Sequence, residues 1–274
     1  MSCAFAAPRA LSIVASTLST IGALLLLRWR HADRPALLRR ESDRLGQRWA
    51  RSVGRRIGMR VVVEGEPPDG PCAIVANHLG YLDIVALWCV VPGVFVARAD
   101  LAGWPLIGVA SRLVGTIPID RGRKRDLLRV LPELTAALAA GRNVLFFPEA
   151  TSSRGATVLP FRSPLFEAAV RRAAPVVGVG IHYVSPGAGA PAAERLCWWG
   201  DMPFVRHVFD SLRVPRFEVH LRFSGPIEAG DDRKALCRLA RDAVVKGFAP
   251  TAAPAQPSLR ASRPRIVCGS GQYA

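Results

Sequence analysis

The sequence predicts an α/β protein with a mostly parallel central sheet flanked by helices, preceded by a membrane-associated helical segment. Apolar runs typical of buried strands alternate with helical patterns from residue 59 to residue 248. An uncharged, apolar stretch occupies residues 10–27, and the whole chain has a net charge of +16 with 50% hydrophobic residues. A composition that is both hydrophobic and cationic favours contact with an anionic lipid surface.

The N-terminal segment, residues 1–58, is interpreted as a membrane anchor followed by basic amphipathic helices. Residues 10–27 are just long enough to span a bilayer, although several Ser and Thr side chains dilute their apolar character. The sequence after residue 27 is rich in Arg and lacks a small-residue cleavage site, which argues against a signal peptide. The same charge indicates that the following domain lies on the cytoplasmic face of the inner membrane. Residues 35–58 combine leucines with many arginines and predict an amphipathic helix or helix pair.

Residues 59–248 form one predicted domain in which strands and helices alternate. Strands are predicted at 59–65, 72–77, 93–98, 143–149, 174–184 and 217–227, with another ending at residue 120. Helices are predicted at about 81–91, 125–141, 163–173 and 231–248. Residues 249–274 are rich in Pro, Ala and Ser and are predicted to form a disordered tail.

Two kinds of ligand are not expected from the composition. The six cysteines lack CxxC pairs and metal-ligand spacing, so we expect reduced thiols and no metal site. The arginines are scattered along the chain, without a helix-turn-helix, zinc-knuckle or RNP-like pattern. We therefore predict no nucleic-acid partner.

His78 and Asp83 stand inside the apolar run IVANHLGYLDIVAL, residues 74–87. In one continuous helix, two residues five apart would point about 140° away from each other. If His78 instead lies in the turn before a helix and Asp83 in the first turns of that helix, their side chains converge. The carboxylate would then fix the imidazole tautomer and leave the other ring nitrogen as a general base. The alternative is a pair of satisfied polar groups that merely anchor the turn.

No GxSxG elbow occurs in the chain, so a nucleophile used with this pair would be a substrate hydroxyl. Two further polar groups follow the ends of predicted strands: Asp120 with Arg121, and the stretch Glu149–Ser153. Ligands of parallel sheets gather beyond the carboxyl ends of the strands, and an arginine there matches phosphate or carboxylate oxygens. The alternative for Arg121 is a surface ion pair with Asp120.

Four segments in this order resemble the glycerolipid acyltransferase family, typified by the 1-acylglycerol-3-phosphate acyltransferases. They are NHLGYLD (77–83), GTIPIDR (115–121), FPEATSS (147–153) and APVVGVGI (174–181). The family pattern is Asn-His-x4-Asp, then Gly-x-Ile-x-Ile-Asp-Arg, then Phe-Pro-Glu-Gly-Thr, then an apolar strand with a proline. The resemblance covers about residues 55–230.

This resemblance implies transfer of a fatty acyl group from acyl-CoA or acyl carrier protein to a lysolipid hydroxyl, with 1-acylglycerol-3-phosphate as the first acceptor to consider. It implies no acyl-enzyme, metal or cofactor. His78 would act as the base and Asp83 would orient it. The acceptor headgroup would be bound by Arg121, Glu149, Thr151 and Ser152. Asn77, Asp120, Pro148 and Ala150 would complete the motifs in a supporting role.

The chain departs from the family pattern at two positions. Ala150 replaces the usual glycine, which matters if the backbone there needs a positive φ. Ser152 stands where phosphatidate-forming members usually have Arg, and the surrounding sequence resembles a branch that includes lyso-ornithine-lipid O-acyltransferases. Three alternatives therefore stay open: a lyso-ornithine-lipid acceptor, a catalytically silent membrane-binding relative, and a hydrolase that uses the pair on water.

Overall fold

The computed structural model of the chain describes residues 6–120, 122–123, 125–185, 192–251 and 265–268. The strands, in chain order, are β1 (Met59–Glu64), β2 (Ala73–Ala76), β3 (Val94–Arg98), β4 (Ile117–Ile119), β5 (Val144–Phe146), β6 (Val176–Val184), β7 (Phe217–Ile227) and β8 (Arg265–Cys268). The helices are α1 (Ala6–Arg30), α2 (Pro35–Arg56), α3 (Tyr81–Val90), α4 (Ile107–Val114), α5 (Asp126–Ala139), α6 (Glu167–Arg172), α7 (Ala192–Arg195), α8 (Phe204–Leu212) and α9 (Arg233–Gly247).

These strands form one sheet in the order β4-β3-β5-β2-β6-β7-β1-β8. The five strands from β4 to β6 are parallel. β7 pairs antiparallel to β6 and parallel to β1, and β8 pairs antiparallel to β1. The prediction of a mostly parallel sheet flanked by helices is confirmed. Because the five parallel strands end at one edge, the loops that follow them lie on the same side of the domain.

Helices cover both faces of the sheet, which explains the continuous apolar strands. All four residues of β2 are buried. Ile74 and Ala76 face a core shared with α1, α2 and α3, whereas Ala73 and Val75 face a second core formed with α5, α6 and α9. Since side chains alternate between the faces of a sheet, a strand covered on both faces must be apolar throughout.

α1 packs against α2, α4 and α8 and leaves an apolar strip on its outer side. The indole nitrogen of Trp49 donates a hydrogen bond to Oγ1 of Thr17 at 3.0 Å, which joins α2 to α1. The guanidinium of Arg9 donates to the carbonyls of Leu212, Val214 and Pro215, at and just beyond the end of α8. Leucines on the outer side are exposed, among them Leu18 at 50% and Leu25 at 53%. α1 is long and apolar enough to cross a bilayer by length and composition.

Each predicted strand and helix between residues 59 and 248 has a counterpart, and the single helix α2 accounts for the predicted segment 35–58. The short helices α4, α7 and α8 were not predicted. Within the tail predicted to be disordered, residues 265–268 instead form β8 on the edge of β1, which supplies hydrogen-bond partners for this short run. Residues 252–264 and 269–274 lie outside the described residues. The division into an anchor, a domain and a tail stays a prediction.

Candidate active site

A tight turn between β2 and α3 carries the histidine. Gly80, the residue before α3, has φ +154°, and a Cβ there would lie 3.0 Å from the backbone nitrogen of Trp198. This position therefore requires glycine. Asp83 lies in the first turn of α3, where its Oδ2 accepts hydrogen bonds from the N–H groups of Leu79 at 2.7 Å and Gly80 at 3.0 Å. Carboxylates are favoured at this end of a helix because they satisfy free N–H groups and complement the helix dipole.

The same oxygen of Asp83 lies 2.8 Å from Nδ1 of His78. Asp83 is fully buried, whereas the His78 side chain is 15% exposed. The imidazole stacks on the ring of Phe147, with centroids 3.9 Å apart and planes 14° apart. With Nδ1–H directed at the carboxylate, Nε2 has an available lone pair, and no described residue hydrogen-bonds it. The predicted convergence of His78 and Asp83 is confirmed, and their catalytic role stays a prediction.

Asn77 fixes the start of this turn against β6. Its Nδ2 donates to the carbonyl of Ile181 at 2.9 Å, and the Ile181 N–H donates to its Oδ1 at 2.7 Å. The side-chain amide thus continues the sheet ladder after the backbone of β2 has turned away. This geometry gives the predicted supporting residue a definite structural role.

A residue that the sequence analysis did not single out completes the surroundings of Asp83. The hydroxyl of Tyr183, near the end of β6, donates a hydrogen bond to Oδ1 of Asp83. Tyr183 is only 2% exposed. The available signal was a tyrosine near the carboxyl end of a mostly apolar strand, since a buried hydroxyl needs a partner.

Glu149 lies at the base of the loop after β5, beside the histidine turn. Its Oε2 accepts the N–H of His78 at 3.4 Å and its Oε1 accepts the N–H of Leu159 at 3.0 Å. Burial raises the pKa of Glu149 to about 7, against the lowering effect of those two N–H donors, while the charge of Asp83 also raises it. The side chain is turned inward and holds the loop against the turn, whereas a headgroup contact was predicted for it. That binding role stays a prediction.

The rest of this loop presents the predicted hydroxyls. Ala150 has φ +60°, so this chain places alanine in the left-handed conformation that glycine adopts most easily. Pro148 is buried and its carbonyl accepts the N–H of Arg162 at 2.9 Å. Thr151 is exposed and Ser152 half-buried. The N–H of Ser153 donates to the carbonyl of His78 at 2.9 Å, which ties the loop to the turn.

Asp120 follows β4 at the same sheet edge as the dyad but three strands from β2, or about 14 Å at the usual strand spacing. Its Oδ1 accepts the N–H of Gly122 at 2.9 Å and its Oδ2 pairs with Arg123 at 3.2 Å. Arg121 lies outside the described residues, so its predicted headgroup contact stays a prediction. Among the described residues, no group of three or more His, Cys, Asp or Glu side chains is arranged to hold a metal ion.

Comparisons with known proteins agree with this geometry. Residues 60–182 match the family model described as Acyltransferase. The chain is 34% identical to the lyso-ornithine lipid O-acyltransferase of Pseudomonas aeruginosa over 215 residues, which is 78% of this chain and 82% of the relative. It is 37% identical to the 1-acyl-sn-glycerol-3-phosphate acyltransferase of Neisseria meningitidis over 118 residues, 43% of this chain and 46% of that one.

A solved structure shares the fold. The 1-acyl-sn-glycerophosphate acyltransferase of Thermotoga maritima superposes with a TM-score of 0.59 at 22% identity, covering 87% of this chain and 95% of that one. The family match includes His78, Asp83 and Glu149, and ends one residue before Tyr183. The chain is therefore an acyltransferase of the family that contains the lysolipid O-acyltransferases.

Proposed function

We propose that this protein transfers a fatty acyl group from a thioester donor to the free hydroxyl of a lysolipid at a membrane surface, with His78 as general base. The observation that carries the proposal is the contact between Nδ1 of His78 and the buried carboxylate of Asp83, which leaves Nε2 available. A carboxylate in that position holds the tautomer and stabilises the imidazolium that forms during proton transfer.

The chemistry follows from this arrangement. Nε2 of His78 removes the proton from the acceptor hydroxyl as the hydroxyl oxygen attacks the thioester carbonyl. The tetrahedral intermediate collapses with loss of the thiolate, which takes the proton back from the imidazolium. The stacked ring of Phe147 and the inward-turned Glu149 hold the imidazole in place while both substrates approach. Positioning two substrates in one site can lower the barrier by up to roughly 7–11 kcal/mol.

The first acceptor we propose is 1-acylglycerol-3-phosphate, with Arg121, Thr151 and Ser152 near its headgroup. A second candidate, a lyso-ornithine lipid, is supported by the alignment lengths. Four lyso-ornithine lipid O-acyltransferases align over 70–78% of this chain, whereas the 1-acylglycerol-3-phosphate acyltransferases compared with it align over 43–44%. Ser152 in place of the arginine expected for a phosphate monoester supports the same candidate.

The apolar helix α1 and the lipid-directed relatives indicate association with a membrane. We propose that the domain lies on the cytoplasmic face, where acyl-CoA or acyl carrier protein would be the donor. The net charge of +16 supports this, because cationic surfaces attract both anionic lipid and these acidic donors.

The test is acyl transfer from a radiolabelled donor to a panel of lysolipids by full-length protein in anionic vesicles. Labelled diacyl product from one acceptor that disappears in His78→Ala supports the proposal and identifies the acceptor. The matched control is His220→Ala, since His220 also pairs with a carboxylate, Glu218 at 2.9 Å, but lies on β7. Product formation should persist in that variant.

Three other results would contradict the proposal. Product that persists in His78→Ala would exclude His78 as the general base. Free fatty acid released without any lysolipid would indicate a hydrolase. Folded, vesicle-bound protein that acylates none of the acceptors would indicate a silent membrane-binding relative.

A further inference from the structure

We infer that Tyr183 is a positioning residue for the His78–Asp83 pair: its hydroxyl holds the Asp83 carboxylate in the orientation that serves the imidazole. The inference rests on the proposed function of that pair and extends it to β6, roughly a hundred residues further along the chain. Tyr183 lies outside the four family motifs, and the family match ends at the residue before it.

The two carboxylate oxygens of Asp83 have different partners. Oδ2 accepts three hydrogen bonds, from Nδ1 of His78 at 2.8 Å and from the N–H groups of Leu79 and Gly80. Oδ1 accepts the hydroxyl of Tyr183. Asp83 is fully buried, and a buried carboxylate needs donors on both oxygens to remain ionised. Tyr183 therefore satisfies the oxygen that the histidine turn leaves unused.

The Tyr183 hydroxyl stays protonated and therefore remains a hydrogen-bond donor. Burial raises the pKa of Tyr183 well above its usual range, and the charge of Asp83 raises it further. The other titratable groups near it are the Cys197 thiol and the Tyr81 hydroxyl; burial raises the pKa of both, that of Tyr81 to about 12. The hydroxyl therefore keeps its proton around neutral pH and donates a hydrogen bond to Oδ1 of Asp83.

The backbone fixes the hydroxyl at this point. Tyr183 belongs to β6, and its N–H donates to Oγ1 of Thr251 at 3.1 Å. The N–H of Thr251 donates in turn to the carbonyl of Gly155 at 2.9 Å. Tyr183 is thereby tied both to the carboxylate and to the loop that carries the predicted headgroup residues. Its position is set by the sheet, so the aspartate is held from two independent elements, α3 and β6.

The expected effect on catalysis follows from the way the Asp83 carboxylate shares its negative charge between its two oxygens. A hydrogen bond to Oδ1 withdraws negative charge from the oxygen that faces His78. Without the Tyr183 hydroxyl, the Asp83 carboxylate is less well oriented. It also holds the proton that it shares with His78 more tightly, so a higher pH is needed to free the imidazole as a base. We expect Tyr183→Phe to lower kcat by roughly tenfold, with the acceptor KM nearly unchanged. We also expect the acid limb of kcat/KM to move upward by roughly half a pH unit or more.

The experiment compares full-length wild type, Tyr183→Phe and Tyr81→Phe in the vesicle assay between pH 5 and pH 9. Tyr81 is the matched control because it is also a largely buried tyrosine, but its hydroxyl bonds His207 and Ser211 at 3.1 Å each. An upward shift of the acid limb in Tyr183→Phe alone supports the inference. An unchanged pH profile in folded Tyr183→Phe, or an equal shift in both variants, overturns it.

A second variant covers the case in which Tyr183→Phe does not fold. Site-specific 3-fluorotyrosine at position 183 keeps the ring and makes the hydroxyl a stronger donor, so the acid limb should move downward; no movement would overturn the inference. His78→Ala distinguishes a failure of the proposed function from a failure of the role inferred for Tyr183. If His78→Ala remains active, the proposed function itself fails. If it is inactive while position 183 has no influence on the pH profile, only the role of Tyr183 fails.

Discussion

The side-chain amide of Asn77 makes two hydrogen bonds with the backbone of Ile181, donating to its carbonyl at 2.9 Å and accepting from its N–H at 2.7 Å. Because Asn77 immediately precedes His78, these two hydrogen bonds determine where the turn that carries His78 leaves the sheet. The contact is fully buried, with Asn77 1% exposed. The stability of the fold and the position of the histidine therefore depend on the same two hydrogen bonds.

Asn77→Ala should lower both stability and turnover. It leaves the N–H and carbonyl of Ile181 without their side-chain partner, which should cost about 2–4 kcal/mol in the free energy of unfolding. It also releases the start of the turn, so kcat should fall by roughly tenfold or more. Urea denaturation and the vesicle assay measure the two effects.

Asn143→Ala is the matched control for that experiment. Asn143 is also buried and bridges backbone groups, accepting from the N–H of Cys72 at 3.1 Å and donating to the carbonyl of Pro92 at 2.9 Å. Cys72, Pro92 and Asn143 lie just before β2, β3 and β5, at the opposite edge of the sheet from His78. A comparable loss of stability with near-normal kcat is expected. Equal loss of kcat in both variants would mean that Asn77 acts only through stability.

Asp83→Asn should fold and lose most of its activity. The N–H groups around Oδ2 will direct the amide oxygen of asparagine toward themselves and toward His78, while the new NH2 group faces the hydroxyl oxygen of Tyr183. The tautomer is thus retained and the negative charge is lost. We expect kcat to fall by roughly 10²–10⁴-fold, the range associated with loss of charge stabilisation and general-base catalysis. Wild-type turnover in a folded variant would remove Asp83 from the mechanism.

Much of this site could be predicted from the sequence, because its parts are close in sequence or end neighbouring strands. The spacing of His78 and Asp83 requires a turn followed by a helix, and the structure has both. Tyr183 could not be predicted, since its contact depends on β6 lying beside β2, and its apolar strand gives no sign of which way the hydroxyl points.

Local backbone geometry accounts for two further sets of contacts. The Glu149 carboxylate accepts the N–H groups of His78 and Leu159, and its predicted headgroup contact stays a prediction. Asp120 accepts the N–H of Gly122 and pairs with Arg123, and its ion pair with Arg121 stays a prediction because Arg121 lies outside the described residues. Short-range turns of this kind satisfy backbone groups first, and a pattern of residue types does not reveal them.

The positive φ of Ala150 leads to a prediction about the stability of variants at this position. An alanine in the left-handed conformation costs about 1 kcal/mol relative to glycine, while glycine loses more backbone entropy on folding. Ala150→Gly should therefore change the free energy of unfolding by no more than about 0.5–1 kcal/mol, in the stabilising direction. Ala150→Val should be clearly destabilising, because β-branched residues fit this conformation poorly. Urea midpoints of the three proteins provide the test, and a destabilised glycine variant would contradict it.

Glu149 should make stability depend on pH. Its pKa is raised to about 7 in the folded protein from an ordinary value of 4.5, so the unfolded chain loses this proton at lower pH than the folded chain. The stabilisation from the protonated group is fully present below about pH 4.5 and is lost as pH rises through about 7, a total of roughly 3 kcal/mol. Glu149→Gln mimics the protonated acid, so the free energy of unfolding of this variant should not fall in this way as pH rises. Urea unfolding at pH 5 and pH 8 checks it, and parallel pH dependence in both proteins would contradict the prediction.

The outer strip of α1 should determine membrane binding. Leu18 and Leu25 lie seven residues apart on one side of the helix and are about half exposed. Changing both to Glu places two charges where apolar contact with lipid is proposed, and repels anionic headgroups as well. Sedimentation with anionic vesicles should show at least a tenfold weaker partition. The control is Leu128→Glu on α5, a leucine that is 76% exposed on a helix that packs on the opposite face of the sheet. If both proteins bind vesicles like the wild type, α1 is not the membrane-contacting surface; if Leu128→Glu binds as weakly as the double variant, the loss reflects added charge alone.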